Sequence, residues 1–320
     1  MEVQAQYSTS LISLVVPFYN ESAVIDDFFR EVPAMLASIE RVDYEIVCVN
    51  DGSKDDTLLR LCAMARTDPR IKVVDLSRNF GKEAAMTAGI DIAIGDAVIP
   101  FDADLQDPPE LIPELVRKWR EGFDVVIAHR VDRNSDTYVK RLTAALFYRF
   151  HNAIADVKIP ENAGDFRLMA RQVVDELKRL PESRRFMKGL FAWVGFTHTY
   201  VDYVRKPRIA GETKFSGWRL WNFALEGITS FSTLPLRIWT YIGTVSALLS
   251  MLYAIYLIVR TALHGRDLPG YASIMTAVLF LGGVQLIGIG VIGEYIGRIY
   301  TESKRRPVYV IRHVFQASEK

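Results

Sequence analysis

The sequence contains few cysteines and little net charge. Cys48 and Cys62 are the two cysteines among 320 residues, and the formal net charge at pH 7 is +1. Two cysteines cannot build a disulfide framework, and Cys48 lies in an apolar run, so both are expected to be reduced thiols of a cytosolic domain. Because a nearly neutral chain has no overall attraction for nucleic acid, no nucleic-acid partner is expected.

A secretory signal and a phosphate-binding glycine loop are also lacking. The N-terminal MEVQAQYSTS is polar and has no basic stretch followed by an apolar core, so no cleaved signal peptide is expected. A G-x-G-x-x-G match, GIGVIG at 288–293, follows no strand and lies inside a long apolar run. This setting favours a glycine face for helix packing over a cofactor site.

Long uncharged runs are present in the C-terminal third. Residues 238–259 and 271–293 contain no charged side chain, and each run exceeds the ~20 residues that a helix needs to cross a bilayer. The loop between them carries Arg260 and Arg266, whereas both outer flanks carry more basic residues. The positive-inside rule therefore predicts a transmembrane hairpin at 238–297, with the catalytic domain, both termini and a tail at 298–320 in the cytoplasm.

Aromatic residues are concentrated just before the first uncharged run. Trp218, Trp221 and Phe223 are interleaved with polar residues, which predicts an interfacial amphipathic segment at 213–237 with its rings at headgroup depth. A plain amphipathic core helix is the alternative.

Residues 1–212 have the pattern of an α/β domain. Helical patterns, for example at 21–40 and 53–68, alternate with β-branched runs at 11–20, 44–51, 71–77, 97–104 and 123–130. This alternation predicts a Rossmann-like, mostly parallel sheet with helices on both faces. Ligands of such sheets bind at the carboxyl ends of the strands.

Polar side chains follow four of these five runs. They are Tyr19, Asn20 and Glu21; Asn50, Asp51, Gly52 and Ser53; Asp102, Asp104 and Gln106; and His129 and Arg130. Each group alone is also typical of a solvated loop or a helix cap, as in NDGSKDDT, where Ser53 or Asp55 is a candidate cap. Their shared position at one edge of the sheet predicts a single site.

The stretch DADLQDPPE carries the chemistry of this edge. Asp102, Asp104 and Gln106 are two residues apart, so on an extended strand end their side chains point the same way. Grouped oxygen ligands suit Mg²⁺ or Mn²⁺, which take the rest of their shell from water and substrate phosphates. The alternative is an acidic turn that ends where Pro108 and Pro109 begin a helix.

Several motifs together resemble a known family. VVPFYNE, VNDGSKDDT, LSRNFGKEAAMTAG and DADLQDPPE resemble family 2 glycosyltransferases of the GT-A fold. NAGDFRLM, RFMKGLFAWVG and RIAGETKFSGWRLWNFALEGITSFS are similar to bacterial polyprenyl-phosphate glycosyltransferases, above all the bactoprenol glucosyltransferases. Dolichol-phosphate mannose synthases are more distant. The resemblance extends over residues 10–312.

The resemblance implies a role for each candidate residue. The nucleotide sugar would contact Pro17, Tyr19, Asn20, Glu21, Asp51, Ser53, Lys82 and Asp102. The metal ligands would be Asp102, Asp104 and Gln106. The acceptor phosphate would meet Arg130, Arg141, Arg167, Arg208 and Lys214. The catalytic set would be Asp104, Asp165 and Arg130. Asp165 need not act as a base, because a lipid monophosphate is already largely ionised. Lys82 lies where a loop meets a helix start, a setting that suits an anion or a plain cap.

The function implied is inverting transfer of a hexose, with glucose from UDP-glucose as the leading expectation, to undecaprenyl phosphate at the bacterial inner membrane. The same reaction with mannose, formamido-arabinose or GlcNAc stays open. A processive polysaccharide synthase is less favoured because its Q-x-x-R-W motif is lacking. A membrane nucleotide sensor or lipid carrier is also less favoured, because such a protein would not need three metal-type oxygens. A homo-oligomer, a flippase and a periplasmic glycosyltransferase are the further partners expected.

Overall fold

The computed structural model describes residues 9–131, 163–180, 182, 185, 187–204, 234–264 and 270–317. The strands in these ranges are β1 (Ser10–Phe18), β2 (Val42–Asn50), β3 (Ile71–Leu76), β4 (Ala97–Pro100), β5 (Val125–Arg130), β6 (Ala163–Ala170), β7 (His198–Tyr203) and β8 (Ile311–Gln316). The helices are α1 (Ile25–Ala37), α2 (Thr57–Thr67), α3 (Lys82–Ile92), α4 (Ile112–Arg120), α5 (Arg171–Arg179), α6 (Met187–Trp193), α7 (Leu234–His264) and α8 (Tyr271–Ser303).

The described strands form one eight-stranded sheet in the order β7-β5-β6-β4-β1-β2-β3-β8. The pairs β1·β2, β1·β4, β2·β3 and β5·β7 are parallel. Strand β6 runs antiparallel to both of its neighbours, β4 and β5, and β8 runs antiparallel to β3. The predicted mostly parallel α/β sheet is confirmed, and the five predicted strands correspond to β1–β5.

The helices pack on the sheet through spaced apolar side chains. In α1, Ile25, Phe28, Val32 and Leu36 are buried, a spacing of three and four residues that places them on one helix face. Phe28 contacts Phe101, which follows β4, at 6.2 Å between ring centroids. Phe28 also contacts Phe18 at the end of β1, so aromatic rings form the floor beneath the carboxyl ends of β1 and β4.

Strand β4 is shorter than its sequence pattern predicts. The prediction extended the strand to residue 104, whereas β4 ends at Pro100. The pairing of β4 with β1 stops at Pro100 and that with β6 at Val98, and Leu105 further along has φ 53°, a left-handed conformation that a strand cannot contain. Residues 101–107 therefore form a tight turn, and the three polar side chains from Asp102 to Gln106 leave this turn instead of an extended strand.

Helices α7 and α8 occupy the region of the predicted hairpin. One described stretch, Phe280–Ser303 in α8, is long and apolar enough to cross a membrane, while the apolar stretch Tyr241–Tyr253 in α7 is shorter. The finer expectation of two spans is therefore not confirmed. Most of the predicted interfacial segment, 213–233, lies outside the described residues, and α7 begins within its last few positions.

The predicted tail, 298–320, is not a free extension. Its first residues continue α8 to Ser303, and β8 then pairs with β3 along the edge of the sheet. Arg312 of β8 donates a hydrogen bond to the carbonyl oxygen of Ser77 at 2.6 Å. Tyr309 donates to Asp91 on α3 at 2.7 Å. The chain therefore returns to the α/β domain after α8.

Candidate active site

The loops after β1 and β2 are joined by hydrogen bonds between predicted site residues. The backbone N–H of Asn20 donates to Oγ of Ser53 at 3.0 Å, and the N–H of Lys54 donates to Oδ1 of Asn20 at 2.8 Å. The N–H of Glu21 donates to Thr57 at 3.0 Å. Asn20 has φ 52°, which asparagine tolerates better than most residues. These contacts fix the two loops relative to each other.

Two further predicted residues lie beside these loops. Pro17 is half-buried within β1, and Tyr19 is half-buried directly after it. Both are therefore at the edge where the sequence placed the nucleotide.

Asp51 anchors the loop that follows β3. Its side chain is 3 % exposed, and its two carboxylate oxygens accept the backbone N–H groups of Phe80 at 2.7 Å and Gly81 at 2.9 Å. Burial raises the pKa of Asp51, and these two hydrogen bonds oppose the rise. Since both oxygens are occupied, Asp51 shapes the loop and thereby sets where Lys82, the first residue of α3, stands.

A glycine allows this loop to approach β2. Gly52 has φ +65°, and a Cβ atom there would lie 2.5 Å from the backbone of both Arg78 and Asn79. The two loops can contact at this distance because position 52 has no side chain.

Lys82 joins two carboxylates from different strands. Its Nζ lies 2.6 Å from Oδ1 of Asp102, after β4, and 2.9 Å from Oδ2 of Asp165, at the start of β6. Burial alone would lower the pKa of Lys82, but the two carboxylates outweigh it and hold that pKa well above the usual value of a lysine. Lys82 is therefore a permanent cation between two anions.

The antiparallel direction of β6 explains how Asp165 comes to lie at this edge of the sheet. The carboxyl ends of β4 and β5 and the amino end of β6 share one edge of the sheet, so Asp165, near the start of its strand, meets Asp102, just past the end of another. Burial alone would raise the pKa of Asp165, but Lys82, Lys188 and Arg167 outweigh it and hold that pKa below its usual range.

Asp102, Asp104 and Gln106 share one side of the turn after β4. All three are half-buried, whereas Phe101, Ala103, Leu105 and Asp107 between and beside them are buried. Oδ1 of Asp104 accepts the backbone N–H of Gln106 at 3.2 Å. The predicted common direction of the three side chains thus survives the loss of the strand.

The oxygen ligands offered by this turn fit Mg²⁺ or Mn²⁺, provided that a substrate completes the coordination shell of the ion. Within the described residues, no three His, Cys, Asp or Glu side chains are grouped closely enough to form an all-protein metal site. Mg²⁺ typically takes one or two carboxylates and completes its shell with water and phosphate oxygens. Asp102 and Asp104, with the amide of Gln106, are such a set.

The remaining predicted residues have different positions. Arg130 is half-buried at the end of β5, in register with Tyr203 of β7. Arg167 is 3 % exposed, with its guanidinium 4.2 Å from the Phe191 ring centre. It therefore lies inside the protein, not on the surface where an acceptor phosphate would arrive. Arg141, Arg208 and Lys214 are outside the described residues.

Two charged residues of this region were not predicted, Glu83 and Lys188. Glu83 follows Lys82 in the first turn of α3, where an acidic residue is ordinary for helix stability. Asp107, from the same acidic stretch as Asp102, instead supports the fold: it is 6 % exposed and accepts the hydroxyl of Tyr203 at 2.6 Å. Nothing in the sequence distinguishes half-buried Glu83 and buried Asp107 from exposed carboxyl groups.

Comparison with known proteins decides the family. The model of glycosyl transferase family 2 matches residues 13–178, and the model of the GtrB C-terminal hairpin matches residues 234–299. The chain belongs to glycosyl transferase family 2. It is a glycosyltransferase, and the family resemblance predicted from its motifs is confirmed.

Relatives of this family 2 enzyme match over nearly their full length. An uncharacterized glycosyltransferase of Synechocystis sp. is 57 % identical over 94 % of each chain. The bactoprenol glucosyl transferase of Shigella phage SfV is 55 % identical over 94 % of this chain and 98 % of that protein. A prophage bactoprenol glucosyl transferase homolog of Escherichia coli K12 is 54 % identical, with 95 % and 99 % covered.

Solved structures are more distant. Glucosyl-3-phosphoglycerate synthase from Mycobacterium tuberculosis, in complex with Mn²⁺, UDP and glucosyl-3-phosphoglycerate, is 22 % identical, with 68 % of this chain and 77 % of that chain covered and a TM-score of 0.48. A mannosyltransferase from Pyrobaculum calidifontis, in complex with GDP-Man and Mn²⁺, is 16 % identical, with 92 % and 88 % covered and a TM-score of 0.49.

Proposed function

We propose that this family 2 enzyme transfers glucose, with inversion, from UDP-glucose to undecaprenyl phosphate. The structural observation that best supports a transfer reaction is the contact of Lys82 with both Asp102 and Asp165. This contact brings the proposed sugar-donor residues after β4 and the first residues of β6 into one site. The acceptor and the sugar are supported by relatives more than 50 % identical over nearly the whole chain, which are named bactoprenol glucosyl transferases.

On the donor side, the loops after β1 and β2 and the start of α3 would hold the nucleotide sugar. The residues concerned are Pro17, Tyr19, Asn20, Glu21, Asp51, Ser53, Lys82 and Asp102. Asp102, Asp104 and Gln106 would hold Mg²⁺ or Mn²⁺, which supplies charge neutralisation for the departing diphosphate. Lys82 would add a second positive charge at the same place, since its amine already lies 2.6 Å from Asp102.

On the acceptor side, no general base is required. A lipid monophosphate is largely ionised near neutral pH, so its oxygen attacks without losing a proton. Asp165 is a poor base in any case, because the cations around it hold its pKa below the usual range. We assign Asp165 to positioning the transferred sugar. Arg130, with Arg141, Arg208 and Lys214, would hold the acceptor phosphate, while Arg167 supports Asp165 from inside the protein.

A single displacement by the phosphate accounts for inversion, because one attack from the face opposite the leaving group reverses the configuration of the sugar. The geometry then has to supply positioning and charge stabilisation.

We place the active site at the cytoplasmic face of the bacterial inner membrane, with spans at 238–259 and 271–293. The return of β8 to the sheet after α8 supports this arrangement. Because the chain returns to the sheet after α8, two crossings would leave the domain and β8 on the same side of the membrane. The expected homo-oligomer, flippase and periplasmic glycosyltransferase complete the proposal.

The test uses the full-length protein in membranes with undecaprenyl phosphate and labelled UDP-glucose, UDP-GlcNAc or GDP-mannose. Lipid-linked glucose is the expected product. Asp104→Ala should reduce turnover by about a hundredfold or more, the scale of removing one electrostatic contact to the transition state, while Glu114→Ala, at an exposed ion pair on α4, serves as the matched control. Polymer would support a processive synthase, and bound nucleotide without transfer would support a sensor.

A further inference from the structure

Glu83 is a half-buried residue with one buried carboxylate oxygen, and the proposed reaction does not use it. It lies in the first turn of α3, beside Lys82. One of its oxygens accepts the backbone N–H of Met187, the first residue of α6. The other, Oε2, is buried and has no hydrogen-bond partner in the described part of the chain. Such an oxygen is costly if it carries a negative charge.

Asp165 has a matching feature. Its Oδ2 accepts from Lys82 at 2.9 Å, but its Oδ1 is buried and accepts no hydrogen bond from any described residue. Both residues lie beside Lys82: Glu83 is the next residue of α3, and Asp165 contacts the Lys82 amine. The charge of Asp165 also raises the pKa of Glu83. One proton between the two unpartnered oxygens would give each of them a hydrogen bond.

None of the nearby cations donates a hydrogen bond to Oε2 of Glu83 or to Oδ1 of Asp165. Lys82 is engaged by Asp102 and by Oδ2 of Asp165. Arg167 donates from Nη2 to the carbonyl oxygen of Gly164 at 2.8 Å, while its buried Nε has no partner among the described residues. Lys188, on α6, acts on both carboxyl groups only through its charge.

We propose that Glu83 is a positioning residue that stays protonated and donates a hydrogen bond from Oε2 to Oδ1 of Asp165. Asp165 would then be held at both oxygens, by Lys82 on one side and Glu83 on the other. This inference rests on the proposed function in one respect, that Asp165 stands beside the transferred sugar. Its effect on transfer is to fix the direction of that carboxylate.

The electrostatics of the site agree with this assignment. Burial, and then the charge of Asp165, raise the pKa of Glu83 from 4.5 to about 8, against the opposing effects of Lys82 and Lys188. Because this pKa is raised in the folded state, its contribution to stability is complete below pH 4.5 and declines as the pH rises through about 8. Ionised Glu83 would repel Asp165, so transfer is expected to decline over the same alkaline limb.

Two variants separate the hydrogen bond from simple packing. Glu83→Gln keeps a carbonyl oxygen for the Met187 N–H and an N–H donor for Asp165, and it has no proton to lose. Glu83→Met has a similar length but no donor. With the full-length enzyme, Glu83→Gln is expected to keep most of kcat and to lose the alkaline decline. Glu83→Met is expected to lose about tenfold in kcat, as for one hydrogen bond to a charged group, with little change in KM for the nucleotide sugar.

Infrared spectroscopy tests the protonation of Glu83 without any substrate. The infrared carbonyl band of a protonated carboxylic acid should be present in the wild type at neutral pH and absent in Glu83→Gln. Failure of transfer with every sugar tested would refute the proposed function but leave this band. Absence of the band, or equal losses of kcat in the Gln and Met variants, would overturn the protonated Glu83.

Discussion

Replacing Lys82 by methionine removes the cation that joins Asp102 to Asp165 while keeping a side chain of similar length. In the wild type the amine lies 2.6 Å from Asp102 and 2.9 Å from Asp165. The side chain of Asp165 is 16 % exposed and that of Lys82 is 44 % exposed. The variant therefore leaves a mostly buried carboxylate without its nearest positive charge.

The expected loss of stability follows from these contacts. A hydrogen bond to a charged group contributes ~1.5–3 kcal/mol, and two such bonds are removed. Lys82 is half-exposed, so solvent screening reduces its share, and the two bonds do not add fully. We expect the free energy of unfolding to fall by about 2 kcal/mol in total, at the lower end of that range. Transfer should fall by more than tenfold, since each 1.4 kcal/mol lost from the transition state is about tenfold in kcat/KM.

The assay is a pair of measurements on the full-length protein in detergent: denaturant unfolding, and initial rates of lipid-linked sugar formation. The matched control is Lys118→Met, which removes a partly exposed pair with Glu121 at 3.4 Å at the end of α4; its cost should be under ~1 kcal/mol. A Lys82→Met protein as stable as this control, and as active as wild type, would refute the role assigned to the bridge.

Two further predictions concern the loops and the floor of the site. Gly52→Ala should weaken UDP binding and should lower stability by more than Gly122→Ala. Both glycines have a positive φ, but only a Cβ at position 52 would meet backbone atoms, at 2.5 Å. Calorimetric titration with UDP and thermal unfolding measure the difference. Tyr203→Phe should lower the free energy of unfolding by ~1–3 kcal/mol without changing UDP affinity, because it removes the hydroxyl that donates to buried Asp107 at 2.6 Å. A larger effect on UDP binding than on unfolding would contradict this prediction.

The sheet could be predicted because the alternation of strands and helices is a local property of the sequence. The runs that became β1, β2, β3 and β5 end within two residues of the predicted limits. Strand β4 ended earlier because its pairing with β1 stops at Pro100 and its pairing with β6 stops at Val98, and pairing with distant segments cannot be read from the local sequence. The apolar run from Ala97 to Phe101 continues past the last strand residue, since Phe101 is buried in the core. Burial alone therefore overestimates strand length.

In the candidate site, the proposed donor residues could be predicted from the sequence, but the contact of Lys82 with Asp102 and Asp165 could not. Asp102 and Asp104 are recognisable because two carboxylates follow an apolar run, and both remain on the exposed side of the turn. Asp165 joins them because β6 runs antiparallel between β4 and β5, and strand direction is decided by pairing between distant segments. The contact of Lys82 with both carboxylates depends on the same pairing.

The C-terminal strand illustrates the same limit, and it also contacts the loop that follows β3. Strand β8 is exposed along most of its length, so its sequence lacks the alternation of a half-buried strand. It is held instead by pairing with β3 and by Arg312, which donates to the carbonyl oxygen of Ser77 at 2.6 Å and contacts buried Asp75 at 3.5 Å. Ser77 begins the loop that Asp51 anchors at Phe80 and Gly81. The segment that leaves α8 therefore holds the first residue of the loop that precedes Lys82, and α8 is connected to the proposed donor edge through the backbone of β8.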